Sequence, residues 1–112
     1  MQWLLFVPLT VVAYIGIAWF AQLSGGSSTT PTQAFFSAIR PFPLLVVTVA
    51  NMFFALAAYY GFTATRFAIP VMISIGAVTA FVYSIVFLGA QLTALKVFGI
   101  VVALSGVALM AL

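Results

Sequence analysis

The chain has 112 residues, 67% of them hydrophobic and 3% charged, and its formal net charge of +3 comes from Arg40, Arg66 and Lys96. A soluble domain of this length carries about a quarter charged residues, so the composition excludes a soluble surface and makes lipid the natural solvent. Asp, Glu, His and Cys are all missing, which removes side-chain metal sites and Ser/His/Asp or Cys/His arrangements, and leaves acid–base chemistry to Tyr and Lys. No enzyme activity, cofactor or metal is therefore expected, and three isolated cations make no nucleic-acid patch.

The first apolar run covers about residues 3–23. At about 1.5 Å per residue it spans roughly 30 Å, the depth of a bilayer's hydrocarbon core. It has no basic n-region and is long for a signal-peptide core, so a spanning helix is expected rather than a cleaved leader. Residues 24–40 form the polar loop. Its first part, SGGSSTTPT, is flexible in composition, and QAFFSAI reads as an interfacial segment whose Phe35 and Phe36 rest among headgroups before Arg40. Pro41 and Pro43 open the second span, residues 42–62. A tight turn carrying Arg66 leads to the third span, residues 69–88, and Gly89 to Thr93 turns into the fourth, residues 94–112. Every charge falls in a turn or at a helix end, as the cost of burying one in lipid requires.

Short connections force neighbouring spans to run antiparallel. The expected fold is an all-α membrane domain, four transmembrane helices in an up-down-up-down bundle with one long loop. Arg40 and Lys96 fall on one side and Arg66 with the amino terminus on the other, so the positive-inside bias is a single residue. So even a balance is compatible with insertion both ways round.

In lipid, small and polar residues mark the faces where helices meet. Thr10, Tyr14, Ala18 and Gln22 line one side of the first span, and Thr48, Asn51, Ala55 and Ala58 one side of the second. Gly76, Ala80 and Tyr83 form a close-packing stripe on the third, and Gly99, Ala103 and Gly106 a smooth seam on the fourth. Asn51 is the most informative position. An amide at midspan needs a partner, either another helix or a solute. Tyr14 and Tyr83 carry the same two readings, as packed aromatics with a bonded hydroxyl or as chamber walls. Arg40, Arg66 and Lys96 read as membrane-boundary anchors.

The order of the last two spans, Gly76…Phe87-Leu88-Gly89…Leu92…Gly99…Gly106-Val107, resembles the small multidrug resistance family of the drug/metabolite transporter superfamily. The segment FLGAQLTALKVFGIVVALSGVALM is also similar to the closing hairpin of larger superfamily members. The likeness runs from about Thr65 to the end. It is loose in the first span, and the loop from Gly25 to Arg40 is longer than in the family. The resemblance implies an antiparallel, dual-topology homodimer in a bacterial inner (plasma) membrane, with Gly99, Ala103 and Gly106 as the dimer seam. Family members bind cations or protons on a first-helix glutamate, and the matching position here is Tyr14. With no carboxylate side chain, the resemblance carries over fold and dimer but not proton-coupled export.

Together these readings lead to a small transporter or flippase-like dimer acting on a neutral or amphipathic solute, its chamber lined by Tyr14, Asn51 and Tyr83. The alternatives are an accessory subunit of a larger membrane complex and one half of a heterodimeric small transporter. The bilayer and other membrane subunits are the expected partners.

Overall fold

The computed structural model describes residues 2–111, and these are helical almost throughout. Three helices are long and apolar enough to cross a membrane: Gln2–Gly26, Pro41–Ala64 and Ala68–Leu88, of 25, 24 and 21 residues. A shorter apolar helix occupies Ala94–Met110. Residue 112, the last of the expected fourth span, lies outside the described residues.

Helix α1 (Gln2–Ala21) runs on without a break into a π-helical turn, Gln22–Gly26. The serines that mark this stretch as a loop in the sequence bond back to their own helix instead. Ser24 Oγ donates to Phe20 O at 2.8 Å and Ser27 Oγ to Leu23 O at 2.7 Å, so their polarity is spent locally and the helix persists.

Helix α2 (Pro31–Ala38) replaces the second half of the expected loop. Thr30 caps it, its hydroxyl accepting from Gln33 N at 3.1 Å, while Gln33 Oε1 accepts from Thr29 N at 3.1 Å. This reciprocal cap, with Pro31 in the first turn, is a strong helix start. Phe35 and Phe36 point outward from it, 69% and 56% exposed, as headgroup-level aromatics would.

Helix α3 (Pro41–Ala64) begins where Pro41 forces Arg40 into an extended conformation. Helix α4 (Ala68–Leu88) ends at Gly89, whose φ of 70° is left-handed. Ala90 N then donates to Ser84 O at 3.0 Å, closing a seven-residue turn over the left-handed glycine. Helix α5 (Ala94–Ala111) starts on Thr93, whose hydroxyl accepts from Lys96 N at 3.3 Å.

Helix α1 is the centre of the packing. It makes its largest interface with α3 and a smaller one with α4, while α5 packs chiefly against α4. The Cα envelope is flattened, 44 × 35 × 19 Å. Three glycines admit the close approaches in lipid that small residues favour. Gly16 faces Ala50, Gly61 receives the ring of Phe6, and Gly76 receives the ring of Tyr14. The main core gathers Phe6, Ala57, Ala68, Val71, Met72 and Ile75, with Val107 and Met110 of α5 packed against it.

Candidate functional site

The polar side chains of the long helices sort into those that serve their own helix and those left over. Thr10 donates to Phe6 O at 2.7 Å, Thr48 to Leu44 O at 2.7 Å, Thr79 to Ile75 O at 2.8 Å and Ser84 to Ala80 O at 2.9 Å. These hydroxyls are consumed by the preceding turn. Tyr83 is different. Its buried hydroxyl donates across to Gln22 Oε1 on the π-helical end of α1. Among the described residues it is the side-chain bond that ties α4 to α1.

This pair closes one end of a groove. Between α1 and α4 a half-open apolar groove of about 220 Å³ is lined by Val11, Ile15, Val78, Val82 and Val86. It continues into a wider space of about 410 Å³ bounded by Trp19, Gln22, Tyr83 and Phe87. The Tyr83 and Phe87 rings lie 4.9 Å apart, so the polar end has an aromatic wall. The Gln22 amide keeps two N–H donors beyond its bond to Tyr83, and the Tyr83 oxygen keeps its acceptor capacity. The site thus offers uncharged hydrogen bonds at one end and hydrocarbon along its length. It holds no carboxylate side chain and, among the described residues, no cluster of His, Cys, Asp or Glu that would hold a metal ion.

The three chamber residues expected from sequence do not converge. Tyr83 lines the groove. Tyr14 packs over Gly76 and meets the edge of Phe54, ring centroids 5.8 Å apart; it fills the space between helices rather than a cavity. Asn51 lies exposed on the outer side of α3 and makes no hydrogen bond to another described residue. The side of α3 that meets α1 is instead Val46, Ala50, Ala57 and Gly61.

Gly76 is buried beneath the Tyr14 ring, whereas Ala80 is exposed and its carbonyl accepts from Ser84. Along α5, a side chain added at Gly99 or Gly106 would meet nothing within 4 Å, and Ala103 is half-buried. No other described residue fills the space before either glycine, although Gly106, like Ala103, is half-buried. Arg40 and Arg66 are exposed at the two ends of α3, and Lys96 Nζ donates to Gln91 O at 2.8 Å.

Gln22, expected on the contact stripe of the first span but not among the chamber residues, is the further member of the site. Its signal is its place in the four-residue stripe Thr10, Tyr14, Ala18, Gln22, on the side of α1 that turns toward its neighbours. No protein-family model, curated protein or solved structure matches this chain.

Proposed function

We propose that the chain is an integral membrane protein of four antiparallel spans that moves a neutral or amphipathic solute, as a small transporter or flippase-like dimer. The observation that carries this reading is the α1–α4 groove, hydrocarbon along its length and closed by the Gln22–Tyr83 hydrogen bond. An amphiphile fits it with its chain against the valines and an uncharged polar head on the amide and phenol. The alternating course of the spans is supported by the core, which joins the starts of α1 and α4 to the ends of α3 and α5. The dimer is supported by Gly99 and Gly106, which have open space before them. The bacterial inner membrane rests on the family resemblance.

In proteoliposomes carrying a fluorescent lipid analogue, Gln22→Leu and Tyr83→Phe should each slow transbilayer movement about fivefold, the weight of one net hydrogen bond of about 1 kcal/mol. Tyr14→Phe should stay within about twofold, because the ring is what packs. Rates unchanged by both groove substitutions would sink the transport reading.

The accessory-subunit reading has one observation in its favour, the midspan Asn51 amide turned outward without a partner. An amide in that position is costly in lipid and is relieved by a neighbouring helix. Orientation separates the two. The chain has no cysteine, so Thr32→Cys on exposed α2 can be labelled in whole cells with an impermeant thiol reagent. Labelling of about half the molecules is expected for an antiparallel homodimer. Labelling of all or none would mean one fixed orientation and would favour the subunit.

A further inference from the structure

Of the three side-chain cations, two have simple surroundings. Lys96 is bonded to the Gln91 carbonyl, and Arg66 lies exposed in the short turn between α3 and α4. Arg40 is placed differently. It lines a cleft of about 510 Å³ where the π-helical end of α1, helix α2 and the start of α3 meet. Ser27, Gln33 and Ser37 line the same cleft. With no Asp or Glu anywhere in the chain, the guanidinium has no carboxylate side chain to pair with. It makes no hydrogen bond to another described residue.

Ser37 forms part of the cleft's polar wall. It is 5% exposed, and its hydroxyl lies 3.5 Å from Ser28 Oγ, whose own proton goes to Ser24 O at 2.6 Å. The serines are thus partnered among themselves, and the unpaired Arg40 guanidinium is the group left for an ionised oxygen. The first turn of α3 adds its positive dipole end.

The cleft does not stop at the surface. Phe42 is shared between it and a second groove, about 350 Å³, that runs between α1 and α3. Trp19 and Phe42 stand edge to face there, centroids 5.4 Å apart, and the groove continues past Leu45 and Val49 to Phe53. From Phe42 to Phe53 the helix rises about 16 Å, close to the roughly 15 Å hydrocarbon depth of one leaflet. Charge lies at the headgroup end and hydrocarbon along one leaflet's depth.

We propose that the Arg40 cleft and the α1–α3 groove together bind one phospholipid of net negative headgroup charge, its phosphate on Arg40 and an acyl chain along Trp19, Phe42, Leu45 and Phe53. The α1–α3 groove shares Ile15 and Trp19 with the α1–α4 groove, but Arg40 lines neither of the α1–α4 spaces, so a lipid held on Arg40 does not depend on transport there.

The test is native mass spectrometry of the full chain released from mixed micelles containing equal amounts of phosphatidylglycerol and phosphatidylcholine. Wild type should retain phosphatidylglycerol about fivefold over phosphatidylcholine, the preference that one near-surface arginine gives. Arg40→Gln should abolish that preference, while Arg66→Gln and Gln22→Leu should keep it within about twofold. No preference in the wild type, or one that survives in Arg40→Gln, overturns the proposal without any variant needing to fold better than the parent. Displacement of the lipid by excess inorganic phosphate alone would make this a free-anion site and overturn the lipid assignment.

Discussion

Gly16→Leu is expected to push α1 off α3 and to cost about 3 kcal/mol of helix-packing stability. A side chain begun at Gly16 would place its Cβ 2.8 Å from the Cβ and 3.5 Å from the Cα of Ala50. Neither atom can rotate aside, because one is backbone and the other is fixed to it. The contrast is with Gly61 and Gly76, which face the rings of Phe6 and Tyr14, and a ring can pivot to admit a methyl group. Gly16 sits in the α1–α3 interface, the largest in the molecule, where close approach and dispersion replace the hydrophobic drive that lipid removes. Gly16→Ala should cost about 1 kcal/mol. Adding Ala50→Gly to Gly16→Ala should recover most of that loss, since the second change removes the clashing carbon. The measurement is unfolding in mixed micelles by added dodecyl sulfate, followed by helical circular dichroism. An unfolding midpoint for Gly16→Leu equal to that of wild type would mean that α1 and α3 do not meet through this contact.

Helix existence was legible in the sequence because each boundary is written in residues with a local mechanism. Pro41 and Pro70 can occupy first turns without losing a bond, Gly89 takes the left-handed cap, and the cations stay at the ends. Residues 22–38 were harder. Serines that advertise a loop are satisfied by their own helix, and the Thr30–Gln33 cap makes a helix of a segment too short to show periodicity.

The candidate site was legible only in part, for a different reason. In a helix that is apolar all round, hydrophobicity does not distinguish the face that meets its neighbours from the face that meets lipid. The stripe of Thr48, Asn51, Ala55 and Ala58 therefore reads as the contact face of α3, although of the four only Ala58 packs against the core. The packing instead follows shape. Ala50 and Gly61 accept Gly16 and Phe6, which turns Asn51 outward. The Gln22–Tyr83 bond joins residues 61 apart in sequence, and no local rule pairs them.

Phe6→Ala is expected to cost about 2 kcal/mol, less than the roughly 3–5 kcal/mol such a truncation costs in a water-soluble core. In water the loss has two parts, the transfer of the ring from solvent and the cavity left behind. A helix separated from its neighbours in lipid keeps its ring in hydrocarbon, so the transfer part largely disappears and the cavity part remains. Phe6 is 0% exposed, seated against Gly61, and it belongs to the cluster that holds α1, α3 and α4 together and that α5 reaches through Val107 and Met110. Phe62 provides the comparison. It is 54% exposed near the end of α3, so Phe62→Ala deletes the same atoms and opens no cavity, and its effect should stay within about 0.5 kcal/mol. Both variants can be read in the same dodecyl sulfate titration. Equal losses would mean that burial in this core carries no packing energy beyond what lipid supplies. A large loss for Phe6→Ala alone would identify cavity formation around the Phe6 ring as the term that holds the four helices in register.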